Sequence, residues 1–299
     1  MKVLVYGSLN IDLVFSVDHI AVPGETISSG SLSRGAGGKG ANQAAALAKA
    51  GMETWMAGKI GADGTFILEL LESYQVETKR IIRYDGPSGQ AIIQVDKQGQ
   101  NSIILFAGGN GLVSTEEIEQ CLSFFNAGDL VLLQNEISNT DIIMKKAKAS
   151  GLKIALNPSP WDDRAKLLPM ELADILIVNE IEGAGLAELV SDSALNEVTA
   201  MEILEILCSH FPKTEIILTA GKDGAFYGCG KTRASGEIAK VPAVDTTGAG
   251  DCFAGYFLAA REQGCSVQDS LNLACKAAAI TVSRKGAMES IPFKDEVYQ

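Results

Sequence analysis

Residues 245–264 read DTTGAGDCFAGYFLAAREQG, a glycine-rich turn that runs into an apolar stretch with helical spacing and stops at Gly264. Gly248, Ala249 and Gly250 therefore fall at a helix N-terminus, where backbone N–H groups lack intrahelical partners and the helix dipole favours an anion. Such a nest could stabilise the charge of a phosphoryl group in transfer. Asp251, in the first helical turn, would stand beside that anion, where a carboxylate could accept a proton from an attacking hydroxyl. It could equally do no more than complement the helix dipole.

Outward from this turn, short apolar runs recur: KVLVYG (2–7), ETWMAG (53–58), DLVLLQ (129–134), KIALN (153–157), DILIVN (174–179) and TEIILTAG (214–221). Segments with helical spacing and glycine stops lie between them, such as ANQAAALAKAG (41–51) and TDIIMKKAKASG (140–151). This alternation predicts an α/β fold with a parallel sheet covered on both faces. Two regions break it. IDLVFSV and VPGET lie within 11–34, and QAIIQV and NSIILFAG flank a turn at Gly99 within 88–108. They predict a small antiparallel sheet outside the main one, placed as a lid over a ligand. With no repeat or Pro-rich linker, residues 1–299 read as one domain with an appended lid.

Hydrophobic residues make up 46% and charged residues 21% of the chain, which fits a globular protein. The formal charge of -12 and the lack of any Lys or Arg run argue against a nucleic-acid partner, though a nucleotide can still be met by local N–H groups. No stretch approaches the ~18 consecutive apolar residues of a membrane span, and the first strand lacks a secretory pattern, so a cytoplasmic protein is expected. The scattered cysteines form no C-x-x-C pair and read as reduced, mostly buried thiols. His19 and His210 are the only histidines, which excludes a His-based metal site but leaves a hard cation held by oxygen open.

Three further motifs fall at strand ends. RGAGGKGANQAAA (34–46) contains G-x-G-x-x-G at Gly35, Gly37 and Gly40, yet it lies far beyond the first strand instead of directly after it, against a dinucleotide site. Nor is it a Walker A loop, since Gly40 and not Ser or Thr follows Lys39. Its glycines would let a ligand approach the backbone, with Lys39 and Asn42 as donors to several hydroxyls; a glycine turn that merely caps the next helix is the alternative. Asn10 and Asp12 follow the first strand, and an Asp carboxylate can accept from two adjacent sugar hydroxyls, although alone such residues often just form turns. In DILIVNEIEG (174–183), Asn179 and Glu182 could hold a hydrated Mg²⁺ or form a capping box.

These residues resemble, along essentially the whole chain, the ribokinase branch of the PfkB carbohydrate kinase family. The landmarks stand in order: GSLNID (7–12), VPGET (22–26), GGKGANQA (37–44), NPSP (157–160), NEIE (179–182), DTTGAGD (245–251) and RKGAMESIP (284–292). GGKGAN together with DTTGAGD is the specific pair. The resemblance implies a three-layer α/β/α fold with a mainly parallel central sheet and a small β-sheet lid. It also implies transfer of the γ-phosphoryl group of ATP to a sugar hydroxymethyl, O5 of ribose in this branch.

By the same resemblance, Asp251 is the catalytic base, and Gly248, Ala249 and Gly250 form the anion hole. Asn10, Asp12, Gly38, Lys39, Asn42 and Glu136 contact the sugar. Asn179 and Glu182 organise Mg²⁺ through water, and the nucleotide lies along Asn179, Thr219, Gly221, Gly224, Gly250, Lys276 and Ala277. K⁺ is held by Asp245 and the carbonyls of Thr247, Thr281, Arg284 and Gly286, with the Ser290 hydroxyl. A homodimer through the lid is implied as well. Phe66, where a glycine is common, and Ser88, where Thr is usual, depart from the pattern near the lid. They leave deoxyribose, a ketose or a nucleoside open as the acceptor, and a non-catalytic sugar-binding regulator is the further alternative.

Overall fold

The protein is described by a computed structural model covering residues 1–191, 195, 198–239 and 241–298. In chain order its strands are β1 (Val3–Tyr6), β2 (Asn10–Ser16), β3 (Ser31–Gly37), β4 (Thr54–Ile60), β5 (Glu77–Arg83), β6 (Gly89–Val95) and β7 (Asn101–Phe106). β8 (Leu130–Gln134), β9 (Lys153–Asn157), β10 (Ile175–Asn179), β11 (Glu215–Thr219), β12 (Ala225–Cys229) and β13 (Thr232–Gly236) follow. The helices are α1 (Lys39–Lys49), α2 (Thr65–Ser73), α3 (Thr115–Leu122), α4 (Thr140–Ala149) and α5 (Glu180–Ser191). They continue with α6 (Ala200–His210), α7 (Ala249–Glu262), α8 (Val267–Val282) and α9 (Lys294–Val297).

The main sheet has nine strands in the order β13-β12-β11-β10-β9-β8-β1-β4-β5. From β11 to β5 every pairing is parallel, and only β12 and β13 run antiparallel at one edge. Successive side chains of a strand point to opposite faces, and this alternation divides the core into two layers. Val3 and Val5 of β1 join Leu130 and Leu132 of β8 beneath α1, α2, α7 and α8. Leu4 and Tyr6 join Val131 and Leu133 beneath α3, α4, α5 and α6. Each expected strand run is therefore continuously apolar because both of its faces are covered.

The chain leaves β1 toward β4 on one side and returns to β8 on the other. This strand-order reversal opens a crevice at the carboxyl ends of β1 and β8, where open α/β sheets bind ligands. Helices α1 and α7 meet beside it. Their approach depends on Gly255, since a Cβ there would come within 2.4 Å of the Ala46 Cβ. That close contact brings the N-terminal turns of the two helices together.

The second sheet, ordered β3-β2-β6-β7, is the expected small sheet outside the main one; its strands overlap the expected segments but extend past them, with β2 starting at Asn10 and β3 ending at Gly37. It is mixed and not antiparallel, which corrects one expectation. The hairpin-like pairs β2/β3 and β6/β7 are antiparallel, but they are joined through a parallel β2/β6 pairing that sets Asn10 opposite Gly89. Both β2 and β6 leave the main body in the same direction, so their edges can pair only in parallel. Among the described residues, no helix is long and apolar enough to cross a membrane. All six cysteines are free thiols, with Cys121, Cys208, Cys252 and Cys275 buried.

Candidate active site

Asp251 lies in the first turn of α7 and is buried. Its Oδ2 accepts from Asn42 Nδ2 at 2.9 Å, and its Oδ1 accepts from Gln43 Nε2 at 2.9 Å. Two adjacent residues of α1 thus hold both carboxylate oxygens. Gly248 caps α7 in the left-handed region (φ 76°), a conformation with a low cost only for glycine. With that turn in place, the leading N–H groups of α7 have no intrahelical acceptor, and Gly250 is exposed. A buried carboxylate therefore stands next to a helix N-terminus, in which Ala249 N reaches Thr246 O at 3.3 Å.

Around Asp251 lies a set of charged groups from four elements or their ends. Gly38 (φ 93°) turns the chain into α1, so that Lys39 N donates to Glu136 Oε2 at 3.1 Å. Ser8 Oγ also donates to Glu136 Oε2, and accepts from Gly40 N at 3.2 Å. Burial pushes the Glu136 carboxyl above the usual range, against the pull of Lys39. Burial opposes the Lys39 ammonium too, but the carboxylates of Asp251, Glu136 and Glu182 outweigh it and hold its pKa above the ordinary lysine value. Asp12 is raised to about 7, first by burial and then by the negative charges of Glu136, Glu289 and Asp251. Asn10 is buried, its Oδ1 accepting from Asn110 Nδ2 at 2.7 Å. Among the described residues, two buried side-chain oxygens here have no partner, Asn42 Oδ1 and, on the far side of Gln43, Gln134 Oε1; Asn42 is the one that also holds Asp251. Asn42 Oδ1 is an acceptor in a pocket of carboxylates, available to a ligand hydroxyl.

Asn179 ends β10 and Glu182 lies in the first turn of α5. Asn179 Oδ1 accepts from Glu182 N at 2.9 Å, while Asn179 N and Nδ2 each donate to the Glu182 carboxylate at 3.0 Å. The capping-box reading is therefore realised, and it also holds the carboxylate in place. Asn157, at the end of β9, reaches Glu182 Oε2 at 3.3 Å and Gln43 Nε2 at 3.1 Å. Glu182 and Asp251 thus belong to one buried network.

The loop before α7 is joined to the loop after α8 through Asp245. Its Oδ1 accepts from Thr247 N and its Oδ2 from Gly286 N, both at 3.0 Å. Partial burial works against this carboxylate, but the hydrogen bonds from Thr247 and Gly286 and the charge of Lys285 prevail and hold its pKa below the usual aspartate value. Ser290 is buried with its hydroxyl donating to Ala287 O at 2.7 Å, and the Thr281 carbonyl accepts from Arg284 N at 3.1 Å. The expected cation residues converge as two loops in contact.

The remaining nucleotide candidates follow from Asn179, which pairs with Thr219 across β10 and β11. Thr219 ends β11, Gly221 and Gly224 make the turn into β12, and Lys276 is exposed on α8 while Ala277 is buried. The sequence reading did not single out Gln43, Gln134, Asn110 or a polar role for Asn157. Gln43 lies inside the GGKGANQA run, next to Asn42, and Asn157 opens NPSP.

Residues 1–294 match the model of the pfkB family carbohydrate kinase. The chain is 36% identical to the ribokinase of Staphylococcus aureus (strain COL), covering 100% of this chain and 99% of that one. It is 34% identical to the ribokinase of Bacillus subtilis (strain 168), covering 99% and 98%. Among solved structures, ribokinase from Cryptococcus neoformans var. grubii serotype A in complex with ADP superposes with a TM-score of 0.85 at 37% identity, over 99% of this chain and 98% of that one. Ribokinase from Arabidopsis thaliana complexed with ribose and ATP superposes with a TM-score of 0.84 at 29% identity, over 99% and 97%.

Proposed function

The chain belongs to the pfkB family of carbohydrate kinases, and we propose that it transfers the γ-phosphoryl group of ATP to O5 of ribose, giving ribose 5-phosphate. The observation that carries this reading is Asp251, a buried carboxylate with both oxygens held by α1 amides, at the mouth of an open helix N-terminus. Asp251 accepts the proton of the attacking sugar hydroxyl. The backbone N–H groups of Gly248, Ala249 and Gly250 face the negative charge that spreads over the transferred group. Asn42 Oδ1, lacking a protein partner, suits a sugar hydroxyl; Asn10, Asp12, Gly38, Lys39 and Glu136 complete the sugar side. The nucleotide would lie past Asn179 and Gly250 toward Thr219, Gly221, Gly224, Lys276 and Ala277.

Two ions suit the residues present. The oxygens of Glu182, supported by Asn179 and Asn157, fit a hydrated Mg²⁺, which when bound would neutralise phosphate charge. The Asp245 carboxylate, the carbonyls of Thr247, Thr281, Arg284 and Gly286, and the Ser290 hydroxyl are an all-oxygen donor set that fits K⁺. An ion there would brace the loop that shapes the anion hole. Free thiols suit a reducing compartment such as the cytoplasm.

The edge strand β7 exposes Ile103, Ile104, Leu105 and Phe106, and Leu32 is exposed on β3; this supports a homodimer that covers the lid edge. Sedimentation is expected to give a dimer that Ile104→Lys converts to monomer, and a wild-type monomer at micromolar concentration would refute it.

The reaction is tested by ADP release from ATP and Mg²⁺ with a panel of ribose, deoxyribose, ketoses and nucleosides, with and without K⁺. Ribose is expected to give the highest kcat/KM. Higher efficiency with another acceptor would reassign the sugar, and no ADP release with any would favour a binding protein.

A further inference from the structure

A buried chain of amides joins Asp251 to Glu182, and its hub is a residue with no role in the scheme above. Gln43 is completely buried. Its Nε2 donates to Asp251 Oδ1 at 2.9 Å and to Asn157 Oδ1 at 3.1 Å, while its Oε1 accepts from Gln134 Nε2 at 2.6 Å. Asn157 Nδ2 in turn donates to Ile177 O at 2.8 Å and to Glu182 Oε2 at 3.3 Å.

The direction of every amide follows from groups that can only accept. A backbone carbonyl and an ionised carboxylate take hydrogens and give none, so Asn157 must turn its NH₂ to Ile177 and Glu182 and its oxygen to Gln43. Gln43 must then turn its own NH₂ to Asn157, and the second hydrogen of that NH₂ meets Asp251. The reverse orientation would set its oxygen against two acceptors and leave both short of a hydrogen bond in a dry interior. Gln43 is thereby locked from both ends.

We propose that Gln43 is a positioning residue for phosphoryl transfer, fixing the rotation of the Asp251 carboxylate through a bond whose direction is set from the Glu182 side. The inference rests on Asp251 being the base. An ionised carboxylate offers about four acceptor positions, and the amides of Asn42 and Gln43 use one on each oxygen. The remaining positions then point in fixed directions, which is what proton transfer from a sugar hydroxyl needs. Orientation matters at this scale, because misplacement by about 1 Å can cost about 10²-fold in rate. If Gln43 merely filled space, its removal would impair the protein alike whether or not residue 251 can act as a base.

That contrast is the test, made with the full chain, ATP, Mg²⁺ and ribose. Gln43→Leu is expected to lower kcat about 10- to 100-fold with the ribose KM within about threefold of wild type. In an Asp251→Asn background the same change is expected to lower kcat by less than about twofold, because the group it orients has lost its function. An equal fold-loss in the two backgrounds would overturn the proposal and leave Gln43 a packing residue. Near wild-type kcat in Asp251→Asn alone would remove the base assignment and the proposal with it, an outcome separable from equal loss. Gln43→Leu leaves Asn157 Oδ1 and Gln134 Nε2 without this partner, so its folding is checked by circular dichroism. If it does not fold, Gln43→Glu, which has nearly the same volume and keeps an acceptor for Gln134, is carried through the same cycle with the same two opposed outcomes.

Discussion

The two sides of the cleft are organised by different parts of the chain. On the side of Asn10, Asn42 and Glu136, side chains hold side chains: Asn110 on Asn10, Asn42 and Gln43 on Asp251, Ser8 on Glu136, most of them buried. On the side of residues 244–250 and 281–290, the backbone is the material, with Val244 N and Asp245 N donating to Val282 O and Asp245 receiving the N–H groups of Thr247 and Gly286. Thr246, Thr247 and Gly250 are exposed there. A neutral, hydroxyl-rich ligand is selected by fixed donors and acceptors in space. A mobile negative charge is better met by N–H dipoles left open, since a fully partnered amide has nothing to offer it. Asp251 stands on the seam, its side chain held by one region and its backbone part of the other.

The largest effect should come from that seam. Asp251→Asn is expected to lower kcat about 10²- to 10⁴-fold, the range for loss of a general base, while ribose binding measured by calorimetry persists. Retained turnover would break the comparison, since the side-chain region would then bind without taking part in chemistry. A smaller effect is expected across the cleft. Asp245→Ala removes the acceptor that joins two backbone loops, and should abolish activation by K⁺, a coupling of roughly 5- to 150-fold in ordinary cases. An unchanged K⁺ titration of kcat would show that the backbone region needs no ion to keep its shape.

The same contrast explains what was legible in the sequence. The six central strands announce themselves as apolar runs because both faces are covered, whereas β5 (ETKRIIR) carries Lys79, Arg80 and Arg83 at a sheet edge and reads as no strand. The short β12 and β13 are an antiparallel addition at the opposite edge, where Gly228 and the turn at Gly230 interrupt the pattern. The lid strands were legible, but their parallel β2/β6 junction was not, since register between strands nearly 80 residues apart leaves no local trace. In the site, the Gly-Ala-Gly turn, Asp251, Asn179 and Glu182 were readable because their chemistry is local: a turn, a helix start, an i to i+3 pair. Gln43 was not, because a glutamine in an alanine-rich helix looks like any polar position, and its partners lie 91, 114 and 208 residues away.

The subtlest expected effect belongs to the region of side-chain contacts and depends on its charge. Burial, together with the charges of Glu136, Glu289 and Asp251, raises Asp12 to about 7, so below that pH its carboxyl is largely protonated and above it largely ionised. As the ionised form is the better acceptor for two hydroxyls, ribose affinity measured without ATP should strengthen from pH 6 to pH 8, by up to about tenfold per unit below the midpoint. Stability runs the other way. A carboxyl whose folded pKa lies above its unfolded value of 3.8 gives the native state an extra proton between those two values, so the contribution of Asp12 to stability declines as pH rises from about 4 to about 7. Asp12→Asn should remove most of both slopes, leaving what Glu136 contributes, since burial raises that group as well. If ribose affinity keeps its full pH slope in Asp12→Asn, the acceptor that senses pH is not Asp12, and Glu136, the other carboxyl that burial raises here, takes that place. The region would then be organised around Lys39, which faces Asp251, Glu136 and Glu182, and not around the first lid strand.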